Sequence, residues 1–320
     1  MRAALVVGIN AYRQAPLLGA VDDANAVARI LATHSNGEPN FSVKLLTVSE
    51  DTKPDDIFTG LMLKKAIKKL FDADCDQCLF YFSGHGTITS RGGYIVTPDF
   101  QIYGEGISMD EILTLANQSK IKDKVILLDC CHAGAAGAPT ITGSNLAVLS
   151  EGLSILAACR SSESALEKNG KGVFTSLIVE ALRGGAADLW GHVTASNIYG
   201  YVDKALGWWE QRPIFRTNVT RFTSLRSATP PVPHETLRKI CSYFPLPEKE
   251  IPLNPTYEST YEHAQPANVA VMKDLQRYAS VGLVVPVGEE YMYFAAINSK
   301  SCRLTALGYQ YWRLVKTNKI

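Results

Sequence analysis

The chain has 320 residues, a formal net charge of +1, 46% hydrophobic and 20% charged residues. That length suits one large domain plus a small one, or two medium ones, each with a proper buried core. The near-neutral balance excludes a global attraction to nucleic acid or to an anionic membrane surface.

Met1 and Arg2 are followed by the apolar run "AALVVGI", which breaks into "NAYRQ". This is too short for a signal peptide, and no apolar run approaches the ~18–20 residues of a membrane span. The seven cysteines are Cys75, Cys78, Cys130, Cys131, Cys159, Cys241 and Cys302. An odd count without a signal peptide fits free thiols in a reducing compartment, so a cytoplasmic location is expected.

Along the first two-thirds, strand and helix patterns alternate. "RAALVVGI" (2–9) is a continuous apolar run, as a strand covered on both faces should be. "DDANAVARILATHS" follows as a helix with Val27, Ile30 and Leu31 on one face and Asp22 or Asp23 as the N-cap. "SVKLLTV" reads as the second strand and "LMLKKAIKKLF" as an amphipathic helix. "QCLFYFSGHG" and "KVILLDCCHAG" are two further strands, each running into a glycine-flanked turn. "LSILAAC" is a fifth strand, "VFTSLIVEALRGG" a helix with glycine beyond its end, and "RPIFRTN" an edge strand. The alternation predicts an α/β fold, a mostly parallel sheet with helices on both faces.

The composition changes near Ser224. "SLRSATPPVPHET" is rich in proline and polar residues, so residues 224–234 read as a linker between a domain over 1–223 and another over 235–320. Past a short helix around 237–243 the order is helix, strand, turn, strand, helix, with "GLVVPVGEEYMYFAA" (282–296) as a hairpin. Over about the last fifty residues this small α+β pattern resembles a winged-helix domain. From Pro231 onward ten Lys/Arg face eight Asp/Glu. A DNA-reading winged helix carries a denser basic patch, so nucleic acid is not the expected partner and a regulatory or partner-binding role is. Tyr291, Tyr293, Phe294, Tyr309, Tyr311 and Trp312 are expected to be mostly core.

The stretch "LLDCCHAG" (127–134) places two cysteines side by side, between an acid and a histidine. It could be a metal site, a redox pair or a nucleophile. In an open parallel sheet, ligands bind outside the carboxyl ends of the strands. His85 of "SGHG" stands at one such end, and Cys130 and Cys131 stand at another. A cysteine needs a base or a positive environment to become a thiolate at neutral pH, and a histidine from a neighbouring strand end supplies it. Alternation along the strand sends Cys130 and Cys131 to different faces. Taken singly, each feature has an ordinary reading: a histidine in a turn is usually at the surface, and a cysteine after a strand is usually buried and inert. "CDQC" (75–78) is one metal-like pair without a second, so packing explains it better.

"YFSGHG" followed by "LLDCCHAG" resembles the caspase-like cysteine proteases, most closely the metacaspase and prokaryotic branch, which reads SGHG and then D-x-C-H-S-G. "GINAY", "LLGAVDDANAV", "ILAACRSSESALE" and "GVFTSLIVEAL" fit the same family in the same order. The resemblance spans 1–223, with Ala133 where the branch often has serine. It implies a cysteine endopeptidase in which Cys131 is the nucleophile and His85 the base and general acid, with the oxyanion held by the backbone N–H groups of Gly86 and Cys131. His132 is then structural and Cys130 a packed neighbour. The resemblance also places Asp129 and Asp23, with Asp22 as the register alternative, in the pocket for the residue before the scissile bond. Two partly buried carboxylates suit a cation, so cleavage of protein substrates after Arg or Lys is expected.

No cofactor or metal site is expected, and calcium, which some relatives need through further acids, is left open and matched to no residues. Relatives are commonly kept latent and then switched on, in bacteria often within defence or programmed-death systems. An activating sensor or upstream protease is therefore an expected partner, with Arg160, Lys168 and Lys171 as candidate processing sites. The rival reading is a non-catalytic signalling or DNA-binding adaptor that works through its C-terminal domain.

Overall fold

A computed structural model describes residues 1–100, 106–130, 149–158, 167–168, 171–206 and 212–320, and of Glu167, Lys168 and Lys171 the backbone alone. The chain divides into two compact units, Met1–Thr229 and Pro230–Ile320.

The first unit starts with β1 (Arg2–Ile9), α1 (Ala20–Ala32), β2 (Ser42–Val48), α2 (Gly60–Phe71) and β3 (Gln77–Ser83). An antiparallel excursion follows, β4 (Gly86–Thr89), β5 (Gly92–Ile95) and β6 (Ile107–Ser108). The chain then forms α3 (Met109–Gln118), β7 (Asp123–Asp129), β8 (Leu153–Ala157), the short pair β9 (Glu167–Lys168) and β10 (Lys171–Gly172), and α4 (Val173–Glu180). It closes with β11 (His192–Thr194), α5 (Ala195–Ala205), β12 (Ile214–Asn218) and β13 (Ser224–Ser227).

The central sheet runs β12-β8-β7-β3-β1-β2, parallel throughout except for the antiparallel edge β12. Its inner strands β1, β3, β7 and β8 carry apolar runs because both their faces are covered. Leu5, Val7, Phe80, Phe82, Ile126 and Leu128 pack on one side, with Leu63 and Ile67 of α2 and Ile112 of α3. The intervening Ala4, Val6, Leu79, Tyr81, Val125 and Leu127 pack on the other, with Val27 of α1, Phe174 of α4 and Ile198 of α5. The period of two sorts neighbouring residues into separate cores, so Cys130 joins the α2–α3 side while Asp129 has the opposite parity.

The helix α1 begins earlier than its acids indicated. Gly19 is the N-cap, and Asp22 and Asp23 lie in the first turn. There they favour the positive helix end without capping it. Asn10, just past β1, does the tethering instead: its side chain accepts from Val21 N–H (3.0 Å) and donates to Leu18 O (3.1 Å).

The expected linker starts too early. Ser224–Ser227 form β13, paired antiparallel with β11, and Leu225 and Arg226 are buried. Arg226 donates to the carbonyls of Thr33 and Leu182, which ties this strand into the first unit.

The second unit contains α6 (His234–Arg238), α7 (Ile240–Tyr243), β14 (Ile251–Pro252), α8 (Pro266–Ser280), β15 (Val284–Val287), α9 (Met292–Ile297), β16 (Ser301–Leu304) and α10 (Ala306–Lys316). Its small sheet is β14-β16-β15, all antiparallel. The hairpin expected over 282–296 does not form. After β15 and a turn at Gly288 the chain becomes the helix α9, and β15 pairs with β16. Met292, Ala295 and Ala296 are the buried residues of α9, a helical spacing that an alternating reading misses. Tyr291, Tyr293 and Phe294 are consequently exposed rather than core, and Tyr309 of α10 is exposed as well. Trp312 is half-buried and donates its indole N–H to Phe244 O at 2.7 Å.

Candidate active site

Strands β3 and β7 are parallel neighbours in a register that sets Ser83 beside Asp129. Gly84 and Cys130 therefore follow side by side at the carboxyl edge of the sheet, where such sheets bind ligands.

His85 is partly exposed and well held. Its Nε2 lies 2.6 Å from the carbonyl oxygen of Ala15, in the loop after β1. A carbonyl can only accept, so Nε2 carries the proton, and in the neutral ring Nδ1 is left as the acceptor. The backbone is fixed as well. Val96 N–H donates to His85 O (2.9 Å), and His85 N–H donates to the Tyr12 hydroxyl (3.0 Å), which in turn donates to Val96 O (3.2 Å). The Tyr12 oxygen thus stands inside the start of the β4–β5 ladder. Its ring lies against the His85 ring, centroids 4.5 Å apart. Burial pushes the Tyr12 phenol far above its ordinary range, so it stays a neutral donor. Gly84 makes room for it: a side chain there would collide with the Tyr12 hydroxyl and the Phe82 ring.

On the α1–α4 side of the same edge, Asp23 and Asp129 are each only 5% exposed. Asp23 Oδ2 accepts from Gly172 N–H at 2.9 Å. Asp129 Oδ2 accepts from the Thr175 hydroxyl at 2.6 Å and from Thr175 N–H at 3.3 Å. The Thr175 hydroxyl also accepts from Tyr81 OH at 2.6 Å. A Cβ on Gly172 would run into both carboxylates, which places the two acids against one small residue. Burial raises the Tyr81 phenol well above its usual value, and the charges of Asp129 and Asp23 raise it further. Asp22, the register alternative, is exposed.

Of the residues expected from sequence, His85, Gly86, Asp23 and Asp129 are therefore gathered at one sheet edge. Cys131, His132 and Arg160 lie outside the described residues, and Lys168 and Lys171 are described only as the backbone of β9 and β10. Cys130 is buried in the α2–α3 core. Cys78 is also buried, and desolvation pushes its thiol up strongly. Cys75 is half-buried with its thiol raised in the same way, as befits packed cysteines.

Tyr12, Ala15, Tyr81, Gly172 and Thr175 were not singled out by sequence. A backbone carbonyl such as that of Ala15 leaves no mark in a sequence, whereas Tyr12 and Thr175 sit inside the quoted stretches "GINAY" and "GVFTSL". Among the described residues, no group of three or more His, Cys, Asp or Glu could hold a metal ion, and no helix is long and apolar enough to cross a membrane.

A search of curated protein sequences finds no match. Among solved structures, a protein of Geobacter sulfurreducens aligns with a TM-score of 0.50 at 18% identity, covering 69% of this chain and 94% of its own. Caspase-1 from Spodoptera frugiperda aligns with a TM-score of 0.47 at 13% identity, covering 71% of this chain and 90% of its own. A family model described as "Caspase domain" matches residues 1–222, which take in the whole six-stranded sheet and the edge that carries His85, Asp23 and Asp129. The chain belongs to the caspase-domain family, a family of cysteine peptidases.

Proposed function

We propose that the protein is a cysteine endopeptidase that cleaves after Arg or Lys, with Cys131 as nucleophile and His85 as base and acid. The observation that supports it most is the pairing at one sheet edge of an oriented histidine with two buried carboxylates. The Ala15 carbonyl selects the His85 tautomer whose Nδ1 accepts a proton. That nitrogen takes the proton of the Cys131 thiol. The thiolate attacks the scissile carbonyl carbon, the C–N bond breaks, and His85 returns the proton to the leaving amine. The thioester is then hydrolysed by water activated by the same histidine.

The backbone N–H groups of Gly86 and Cys131 are assigned to the oxyanion. For Gly86 the ladder supports this. His85 and Val96 form the hydrogen-bonded position, with the Tyr12 hydroxyl spliced into one bond. Antiparallel alternation makes Gly86–Ile95 the next, non-hydrogen-bonded pair, so Gly86 N–H points away from β5. Asp23 and Asp129 supply the negative charge that pairs with a basic side chain. Switching by processing at Arg160, Lys168 or Lys171, triggered by a partner, belongs to the same reading. The exposed aromatics Tyr291, Tyr293 and Phe294 give the second unit a surface for such a partner.

Fluorogenic peptides ending in Arg, Lys or Asp test the reading on wild type, Cys131→Ala, Cys130→Ala and His85→Ala. Cleavage after Arg and Lys is expected, unchanged in Cys130→Ala and lower by about a thousandfold or more in the other two. Cleavage after Asp would refute the assignment of the acid pair. Activity that survives in Cys131→Ala would refute the nucleophile.

A further inference from the structure

A cavity of about 690 Å³ opens beside His85, and the acid pair takes no part in it. It is lined by Tyr12, Arg13, His85, Val96, Pro98 and Phe100, among others. Tyr12 and Val96 belong to the core on the α2–α3 side of the sheet. Asp23 and Asp129 approach from the α1–α4 side, where Gly172 and Thr175 hold them. A substrate whose basic side chain enters the acid pair can then present to the cavity the part of its chain beyond the scissile bond. His85 fixes how far. It must touch the leaving nitrogen to protonate it, and successive residues of an extended chain advance about 3.3–3.6 Å each. The first or second residue after the cut lies over a cavity that His85 itself lines.

We infer that this cavity is a subsite for the leaving-group side of the substrate, taking a large apolar or aromatic side chain and rejecting a basic one. The inference rests on the peptidase reading above. Val96 is buried in the wall, and the Pro98 and Phe100 side chains add apolar surface. The Tyr12 hydroxyl is committed to the backbone, so its ring presents carbon to the cavity. Such a lining favours apolar groups in rough proportion to the area they remove from water. Arg13 sets the sign of the rim. It is exposed and makes no hydrogen bond or ion pair with the described residues, so its charge repels a basic side chain at this position. The enzyme thus reads opposite properties on the two sides of one bond, a cation before it and an apolar residue after it.

The test uses the full chain and internally quenched peptides with Arg before the scissile bond and Phe, Gly or Lys at the next two positions in turn. kcat/KM is expected to be about tenfold or more higher for Phe than for Gly at one of the two positions, and lower for Lys than for Gly. Thr87→Trp, which fills the cavity from β4, should bring the Phe-to-Gly ratio toward one. Arg13→Ala should relieve the penalty on Lys. Affinities of the same peptides, labelled and uncleaved, are measured in parallel on Cys131→Ala by fluorescence anisotropy. Equal rates for Phe and Gly would overturn the subsite while leaving Arg-directed cleavage intact. If no peptide is cleaved the peptidase reading fails by itself. Binding then decides the cavity: tighter binding of Phe that is lost in Thr87→Trp sustains it, and equal or absent binding overturns it.

Discussion

The two flanks of the β3–β7 edge are built on different terms. On the α1–α4 flank, Asp23 and Asp129 are buried, Asp23 accepts from Gly172 N–H, and a phenol and a threonine hydroxyl back Asp129 in a chain. On the α2–α3 flank, His85 is partly exposed, its ring is held by one backbone carbonyl, and an open cavity stands beside it. Buried carboxylates are tolerated when they are hydrogen-bonded, and both acids accept such bonds from Gly172 and Thr175. A histidine that has to accept and return a proton needs one fixed orientation and room for the groups that approach it. On the proposed reading, selectivity falls to the buried, hydrogen-bonded flank and proton transfer to the partly exposed one.

The largest expected consequence is at Asp129. In Asp129→Asn the shape is kept and one charge is lost. Breaking one side of a buried charge pair typically costs about 2–5 kcal/mol. Arg-directed kcat/KM should fall by roughly a hundredfold or more, while hydrolysis of a matched peptide with a neutral residue before the bond changes little. Steady-state kinetics on the two peptides checks this. An equal loss on both would mean that Asp129 supports the site as a whole, and the division between flanks would not stand.

Much of this arrangement was legible beforehand, for physical reasons that also explain the gaps. The unbroken apolar runs of β1, β3 and β7 announce a sheet covered on both faces, and the glycine-flanked ends of the last two mark where chemistry can sit. The carboxylates of Asp23 and Asp129 were expected to share a pocket through family resemblance. What cements them, Gly172 and Thr175, lies 46 to 149 residues away in sequence, and no local pattern signals it. The same limit hid β13. Its four residues look like a polar linker until β11 provides a partner. In α9 the fault is one of period: "YMYFAA" alternates acceptably as a strand, yet its buried residues are spaced three and four apart.

A smaller effect is expected on the histidine flank, from Gly84→Ala. The added methyl meets the Tyr12 hydroxyl and the Phe82 ring, the latter with no exposed surface. Overpacking of this kind costs about 1–3 kcal/mol. Thermal unfolding of the variant should show a lower Tm, and activity should fall as Tyr12 and the His85 backbone shift. An unchanged Tm would show that the hydroxyl has free space and that His85 is less tightly framed than its contacts indicate.

The smallest effect separates orientation from selectivity. Tyr12→Phe keeps the ring against His85 but removes the oxygen that joins His85 N–H to Val96 O. Two backbone groups lose a partner, and because they border an open cavity water can replace part of what is lost, so the stability cost should be about 1 kcal/mol. The Val96 N–H to His85 O bond beside it remains, and the Ala15 carbonyl still fixes the imidazole. kcat should therefore fall only a fewfold, with the Arg-to-neutral preference intact, since among the described residues no hydrogen bond joins Tyr12 to Asp23 or Asp129. If that preference shifts along with kcat, the two flanks are coupled through the β3–β7 edge, and the sorting of selectivity and proton transfer onto opposite faces of the sheet gives way to a single connected site.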